Sequence, residues 1–146
     1  MTSRTQKEKV EGRSVEGYNA FVKEVQIKDI RLAAAKIDSP DCFYFPASAD
    51  VSSRLDSRYE NVDKGFRCYT HYKAVIKEKE TKTVKARISV TFCVSYASKI
   101  PMDDKLFDIF KMVNLPLNTW PYFREFTHST VTRMGWPPLI APTFRP

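Results

Sequence analysis

Between residues 66 and 96 the chain alternates apolar and polar residues with almost no exception, and this constrains its fold more than any other feature. Phe66, Cys68, Thr70, Tyr72, Ala74 and Ile76 share one parity, with Arg67, Lys73 and Lys77 on the other. After a turn at Lys79 to Lys82 the pattern resumes: Ala86, Ile88, Val90, Phe92, Val94 and Tyr96 against Arg87, Ser89, Thr91, Cys93 and Ser95. Side chains of a strand project to opposite faces in turn, so period two predicts strands with one face buried. Upstream, Ala47, Ala49, Val51, Leu55 and Tyr59 alternate with Ser48, Asp50, Ser52, Arg54 and Asp56, and Asn61 to Gly65 reads as a turn. Strands joined by such short turns form an antiparallel meander.

The flanks complete the fold class. A further strand is expected over Tyr18 to Ile37, with Phe21, Val25 and Ile27 in one phase and Ile30 and Leu32 in the other. The slip falls at Lys28-Asp29, where a β-bulge would return all five to one face. Ser39 to Pro46 reads as a connection, made unusually aromatic by Phe43, Tyr44 and Phe45. After Tyr96 the period changes. Asp103 and Asp104 open a helix whose Leu106, Ile109, Phe110 and Val113 fall at i, i+3, i+4 and i+7, and Asn114-Leu115-Pro116 is expected to stop it. A second helix is expected from Asn118 or Thr119 to Met134, with Pro121 in its first turn and Gly135 ending it. Four antiparallel strands followed by two helices packed on one face is an α+β order.

At 146 residues this is one domain, expected over residues 18–146 behind a polar, aperiodic arm over residues 1–17. The arm has no apolar core of a secretory signal, and no run of about 18 apolar residues suits a membrane span. Cys42, Cys68 and Cys93 are odd in number and widely spaced, as buried thiols of a reducing cytoplasm would be. Enzymatic signatures are missing: with only 4 glycines there is no phosphate-binding loop, no Cys-x-x-Cys and no His-Glu-x-x-His. His71 and His128 stand alone, so no catalytic residue, metal site or cofactor is expected. The net charge of +7 raises nucleic acid as an alternative partner. Much of that excess lies over residues 73–87, at a hairpin tip and its flanks where lysines keep strand ends solvated. The aromatic residues do not interleave with them as a base-stacking surface requires, so nucleic acid is the weaker reading.

What remains is apolar surplus in irregular segments. Phe43, Tyr44 and Phe45 lie in one connection. Leu115, Leu117 and Trp120 lie in or beside the link between helices, and Trp136, Leu139, Ile140 and Phe144 lie in the tail. Either an oligomer interface or a groove for extended apolar segments would use them.

Three stretches carry a family resemblance: Val25-Gln-Ile-Lys-Asp-Ile-Arg-Leu32, the meander, and Trp120-Pro-Tyr-Phe-Arg-Glu-Phe126 followed by Thr132-Arg-Met-Gly-Trp-Pro-Pro-Leu-Ile-Ala-Pro142. Together they resemble the SecB family of export chaperones over roughly residues 18–144. The resemblance implies a cytoplasmic homotetramer, a dimer of dimers without cofactor or catalysis. Such a protein is an ATP-independent holdase that keeps unfolded polypeptides in apolar grooves. It places client binding at Phe43, Tyr44, Phe45, Leu115, Leu117, Trp120, Trp136, Leu139 and Ile140. Export members dock on the SecA ATPase through acidic positions and a C-terminal tail. Asp29 matches one such position, but Ala33 stands four residues later, Lys85 and Arg87 make the neighbouring strand basic, and the sequence stops at Pro146. The first strand, Ile27-x-Asp29-Ile30-Arg31-Leu32, is also similar to SecB-like chaperones of toxin–antitoxin–chaperone systems, whose client is an antitoxin.

Overall fold

Residues 17–24 are helical (α1), and a single residue separates them from the first strand of a four-stranded antiparallel sheet. The computed structural model describes residues 17–40 and 49–137. The strands are β1 (Gln26–Asp38), β2 (Ala49–Val62), β3 (Gly65–Glu78) and β4 (Val84–Ala97), in spatial order β1-β4-β3-β2. Helices α2 (Asp104–Phe110) and α3 (Asn114–Arg133) follow. The α+β class is as the alternation requires. Apart from Gly17, the expected arm lies outside the described residues.

The first strand is shorter than its sequence suggested. Tyr18, Phe21, Val22 and Val25 recur at i, i+3, i+4 and i+7, and this helical spacing prevails over the alternation of Phe21, Val25 and Ile27. Phe21 is thereby buried, stacked 5.9 Å from Phe66 and edge-on to Phe110 at 6.2 Å. The phase slip is real: β1 shifts register against β4 between Ile27 and Asp29, and again between Leu32 and Ala34. Two single-residue slips put Ile27, Ile30, Leu32 and Ile37 opposite Tyr96, Val94, Phe92 and Ile88, all on the core face.

Two hairpins set the register of the remaining strands. Val62 pairs with Gly65 across a tight turn in which Lys64 takes φ 61°. Gly65 itself is demanded by space, because a Cβ there would collide with the Tyr96 carbonyl. The second hairpin closes with Glu78 N–H donating to the Thr83 carbonyl at 2.9 Å.

The helices also depart from expectation, for identifiable reasons. Asp103 caps α2 by accepting from the Leu106 N–H at 2.8 Å. Residues 111–113 form the turn to α3, so α3 begins at Asn114 rather than near Asn118. Pro116 does not stop a helix here. It is the third residue of α3, where a backbone N–H has no intrahelical partner to lose. Pro121 therefore sits inside α3 rather than in its first turn. The far end follows the glycine: Gly135 (φ 76°) donates to the Thr132 carbonyl and Trp136 to the Val131 carbonyl, each at 3.0 Å. This paired arrangement satisfies two terminal carbonyls, and Trp136 packs with Val131 in the core.

All helices lie on one face of the sheet and enclose two apolar clusters. In the first, Tyr72 stacks on Phe123 with centroids 4.5 Å apart and planes 9° apart. The Tyr72 hydroxyl shares a 2.6 Å hydrogen bond with Thr119 Oγ1, which also donates to the Leu115 carbonyl at 2.9 Å. The second cluster joins Phe21, Phe66, Tyr96 and Phe110, and Asn118 Nδ2 donates to the Tyr96 hydroxyl at 2.8 Å.

Candidate functional site

The helical layer is narrower than the sheet beneath it. Strands lie about 4.8 Å apart and a helix with its side chains is about 10 Å across, so one helix covers about two strands. Helix α3 packs on β3 and β4, the central pair. Both edge strands therefore carry core-face residues that the described helices cover only in part. On β1 these are Ile27, Leu32 and Ile37; on β2 they are Val51 and Leu55, opposite Ile76 and Tyr72. Leu55 remains 39% exposed, and Met112, in the turn between α2 and α3, is 68% exposed.

A cleft runs along each flank. On the β2 side a cleft of about 350 Å³ is lined by Leu55, Asp56, Ser57, Lys111, Met112 and Pro116. Its walls are apolar where Leu55, Met112 and Pro116 meet. Ser57 Oγ is buried there without a hydrogen-bond partner among the described residues. On the β1 side a cleft of about 400 Å³ is lined by Ile37, Phe126 and Met134, with Glu125 and Arg133 at its rim.

The residues singled out from sequence separate into three groups. Leu117 is exposed on α3 as a binding residue should be. Leu115 is fully enclosed, Trp136 is buried, and Trp120 is half-buried with its ring 5.5 Å from Phe123 and 5.8 Å from Tyr72. These three serve the core in this conformation, because the turn between helices lies at residues 111–113 and draws Leu115 inside α3. Phe43, Tyr44, Phe45, Leu139 and Ile140 lie outside the described residues. Asp29 sits on the sheet's outer face opposite Ser95, with its carboxylate 3.2 Å from the Arg31 guanidinium. Sequence reasoning missed Met112, Leu55, Val51, Leu32 and Ile37 as surface residues. Alternation reports which face a residue takes, and only the width of the helical layer reports whether that face is covered.

Several ionisable groups of the core are held in their neutral forms. Burial pushes the Cys68 thiol up to about 12, which keeps it protonated and unreactive. Burial likewise raises Tyr72 to about 12 and raises Tyr96. The Tyr59 hydroxyl donates to Asp104 at 2.7 Å, and that hydrogen bond raises its pKa to about 12. Among the described residues no cluster of His, Cys, Asp and Glu could hold a metal ion, and no helix is long and apolar enough to cross a membrane.

Four antiparallel strands in this order, with the helices laid across one face, make the SecB-like fold that the sequence motifs suggested. No family model matches the sequence and no curated protein matches it. Among solved structures, the chain is similar to the SecB-like chaperone of Mycobacterium tuberculosis in complex with a ChAD peptide from the HigA1 antitoxin. The two superpose with a TM-score of 0.75 at 15% identity, over 89% of this chain and 99% of that one.

Proposed function

We propose that this protein is a cytoplasmic SecB-like holdase that binds unfolded or extended polypeptide segments without ATP and without catalysis. The observation that carries this reading is the partly exposed apolar rim of the core face, above all Leu55 and Met112, which line one cleft. Client side chains would be buried there without directional demands, which suits many sequences. Edge strand β2 would add backbone hydrogen bonds that are equally sequence-tolerant. The solved neighbour holds an antitoxin peptide, which supports a dedicated antitoxin as client here, with preproteins as the broader class. Phe43, Tyr44, Phe45, Leu117, Leu139 and Ile140 would extend the client surface. Assembly as a dimer of dimers, and any docking of SecA at Asp29, belong to the same proposal.

The test is suppression of aggregation of a chemically unfolded client by the purified protein, without nucleotide. Protection at near-stoichiometric chaperone, undiminished by removal of ATP, is the expected result. Aggregation at the rate of the client alone would remove the proposal.

A further inference from the structure

The outer face of the sheet, away from the helices, has a basic centre that the holdase reading leaves unused. Cross-strand rows there read Arg58–Tyr69–Cys93–Arg31, then Asp56–His71–Thr91–Ala34, then Arg54–Lys73–Ser89–Lys36. Acidic residues gather toward the ends of the face and are engaged in ion pairs: Glu60 with Arg67 at 3.7 Å, Asp38 with Arg87 at 3.9 Å, Asp50 with Lys82 at 4.0 Å. In the central rows Asp56 is the single carboxylate against five cations, of which Arg31 is already paired with the neighbouring Asp29 at 3.2 Å. Arg54 and Lys73 stand directly opposite each other, and among the described residues neither makes an ion pair. Like charges in directly opposed positions destabilise a sheet, so this pair is an electrostatic cost that an anion would relieve.

The location of the pair gives it a role. Arg54 lies on edge strand β2 immediately before Leu55, and successive strand residues face opposite sides. A cleft of about 340 Å³ lined by Arg54, Leu55, Asp56, His71 and Lys73 meets the apolar cleft of the other face at Leu55 and Asp56. An extended segment lying along β2 would therefore present alternate side chains to Leu55 and Met112 on one side and to Arg54 and Lys73 on the other.

We propose that the client is an extended segment alternating apolar with acidic residues, whose carboxylates are read by Arg54 and Lys73 on the sheet's outer face. This rests on the holdase reading and sharpens it from any apolar segment to a charge-selected one. Nucleic acid suits the same cations less well. Tyr69 and His71 carry the only aromatic rings at the outer positions of the described strands, and His71 Nδ1 is engaged with Thr91 Oγ1 at 2.7 Å. The Arg58 guanidinium covers the Tyr69 ring at 3.9 Å and the Tyr69 hydroxyl donates to Glu60 at 3.0 Å, which leaves no free platform for base stacking.

The experiment compares three labelled peptides of equal length and identical apolar positions, with acidic, neutral or basic residues between, binding the full chain. The acidic peptide is expected to bind about fivefold more tightly than the neutral one at low salt, as two exposed ion pairs allow. Raising salt to about 0.5 M should erase the difference, since exposed charges are then screened. Arg54→Gln with Lys73→Gln should also erase it, and Arg54→Glu with Lys73→Glu should transfer the preference to the basic peptide. Equal binding of all three peptides would overturn the charge selection and leave the apolar groove standing. Failure of all three to bind would overturn the groove itself. Displacement of the acidic peptide by a single-stranded oligouridylate, lost in the same variants, would overturn the choice of partner.

Discussion

Replacing Leu55 and Met112 together by serine removes the apolar rim on the β2 flank while sparing both core clusters. The magnitude follows from exposure. Full burial of such a side chain is worth about 1.5–3 kcal/mol, so the 39% of Leu55 still in water holds about 0.6–1.2 kcal/mol and the 68% of Met112 about 1–2 kcal/mol. A client covering both gains about 2 kcal/mol from them, or about 30-fold in affinity. Met112 is mostly solvated, and the buried part of Leu55 costs about 1 kcal/mol of stability when removed, which a urea titration measures separately. Fluorescence anisotropy with a labelled apolar peptide then reads the binding loss on a folded protein. An affinity within twofold of wild type, at unchanged fold, would refute the assignment of this flank as the client surface.

Other perturbations test the fold that holds the flank in place. Phe123→Ala removes the ring stacked on Tyr72 and should cost about 3–5 kcal/mol in denaturant unfolding. The two structural glycines should respond unequally to alanine. Gly65→Ala meets the Tyr96 carbonyl and should disrupt the β2–β3 hairpin. Gly135→Ala meets open space, and its positive φ alone should cost about 1–2 kcal/mol. The Glu24 carboxylate accepts from the Lys99 N–H and the Ser98 hydroxyl, and chiefly the Lys99 bond lowers its pKa below the ordinary 4.5. Its contribution is therefore complete above the unfolded value and lost as pH falls through the lower folded value. The protection factors of the α1 amides, which divide out the fall of intrinsic exchange with pH, should drop over that acidic window in wild type, and Glu24→Gln should show the lowered protection already at neutral pH.

Much of this architecture was legible because its rules are local. Alternation over residues 66–96 placed every second residue, from Phe66 to Ile76 and from Ala86 to Tyr96, on the core face, and the slip at Lys28 was visible as a change of parity. Gly135 announced the end of α3. What could not be read depended on competition between patterns or on tertiary coverage. Tyr18, Phe21, Val22 and Val25 satisfy helical spacing while Phe21, Val25 and Ile27 also alternate, and burial of Phe21 among Phe66 and Phe110 decides between them. Pro116 reads as a breaker until its position in the first turn of α3 is known. The client surface was least legible. Leu115 and Trp120 are apolar residues near prolines yet pack in or against the core, whereas Leu55 looks like an ordinary strand residue and is only partly covered by the start of α3 at Pro116.

The central claim is that an extended polypeptide occupies the flank between β2 and the α2–α3 turn. A photo-crosslinking amino acid placed at Met112, with a second copy of the experiment at the exposed Lys99 in the connection from β4 to α2, tests this most directly. The account predicts client adducts from position 112 that an unlabelled apolar peptide competes away, and background labelling from position 99. Equal labelling from both positions, or labelling at 112 that no peptide displaces, would contradict it.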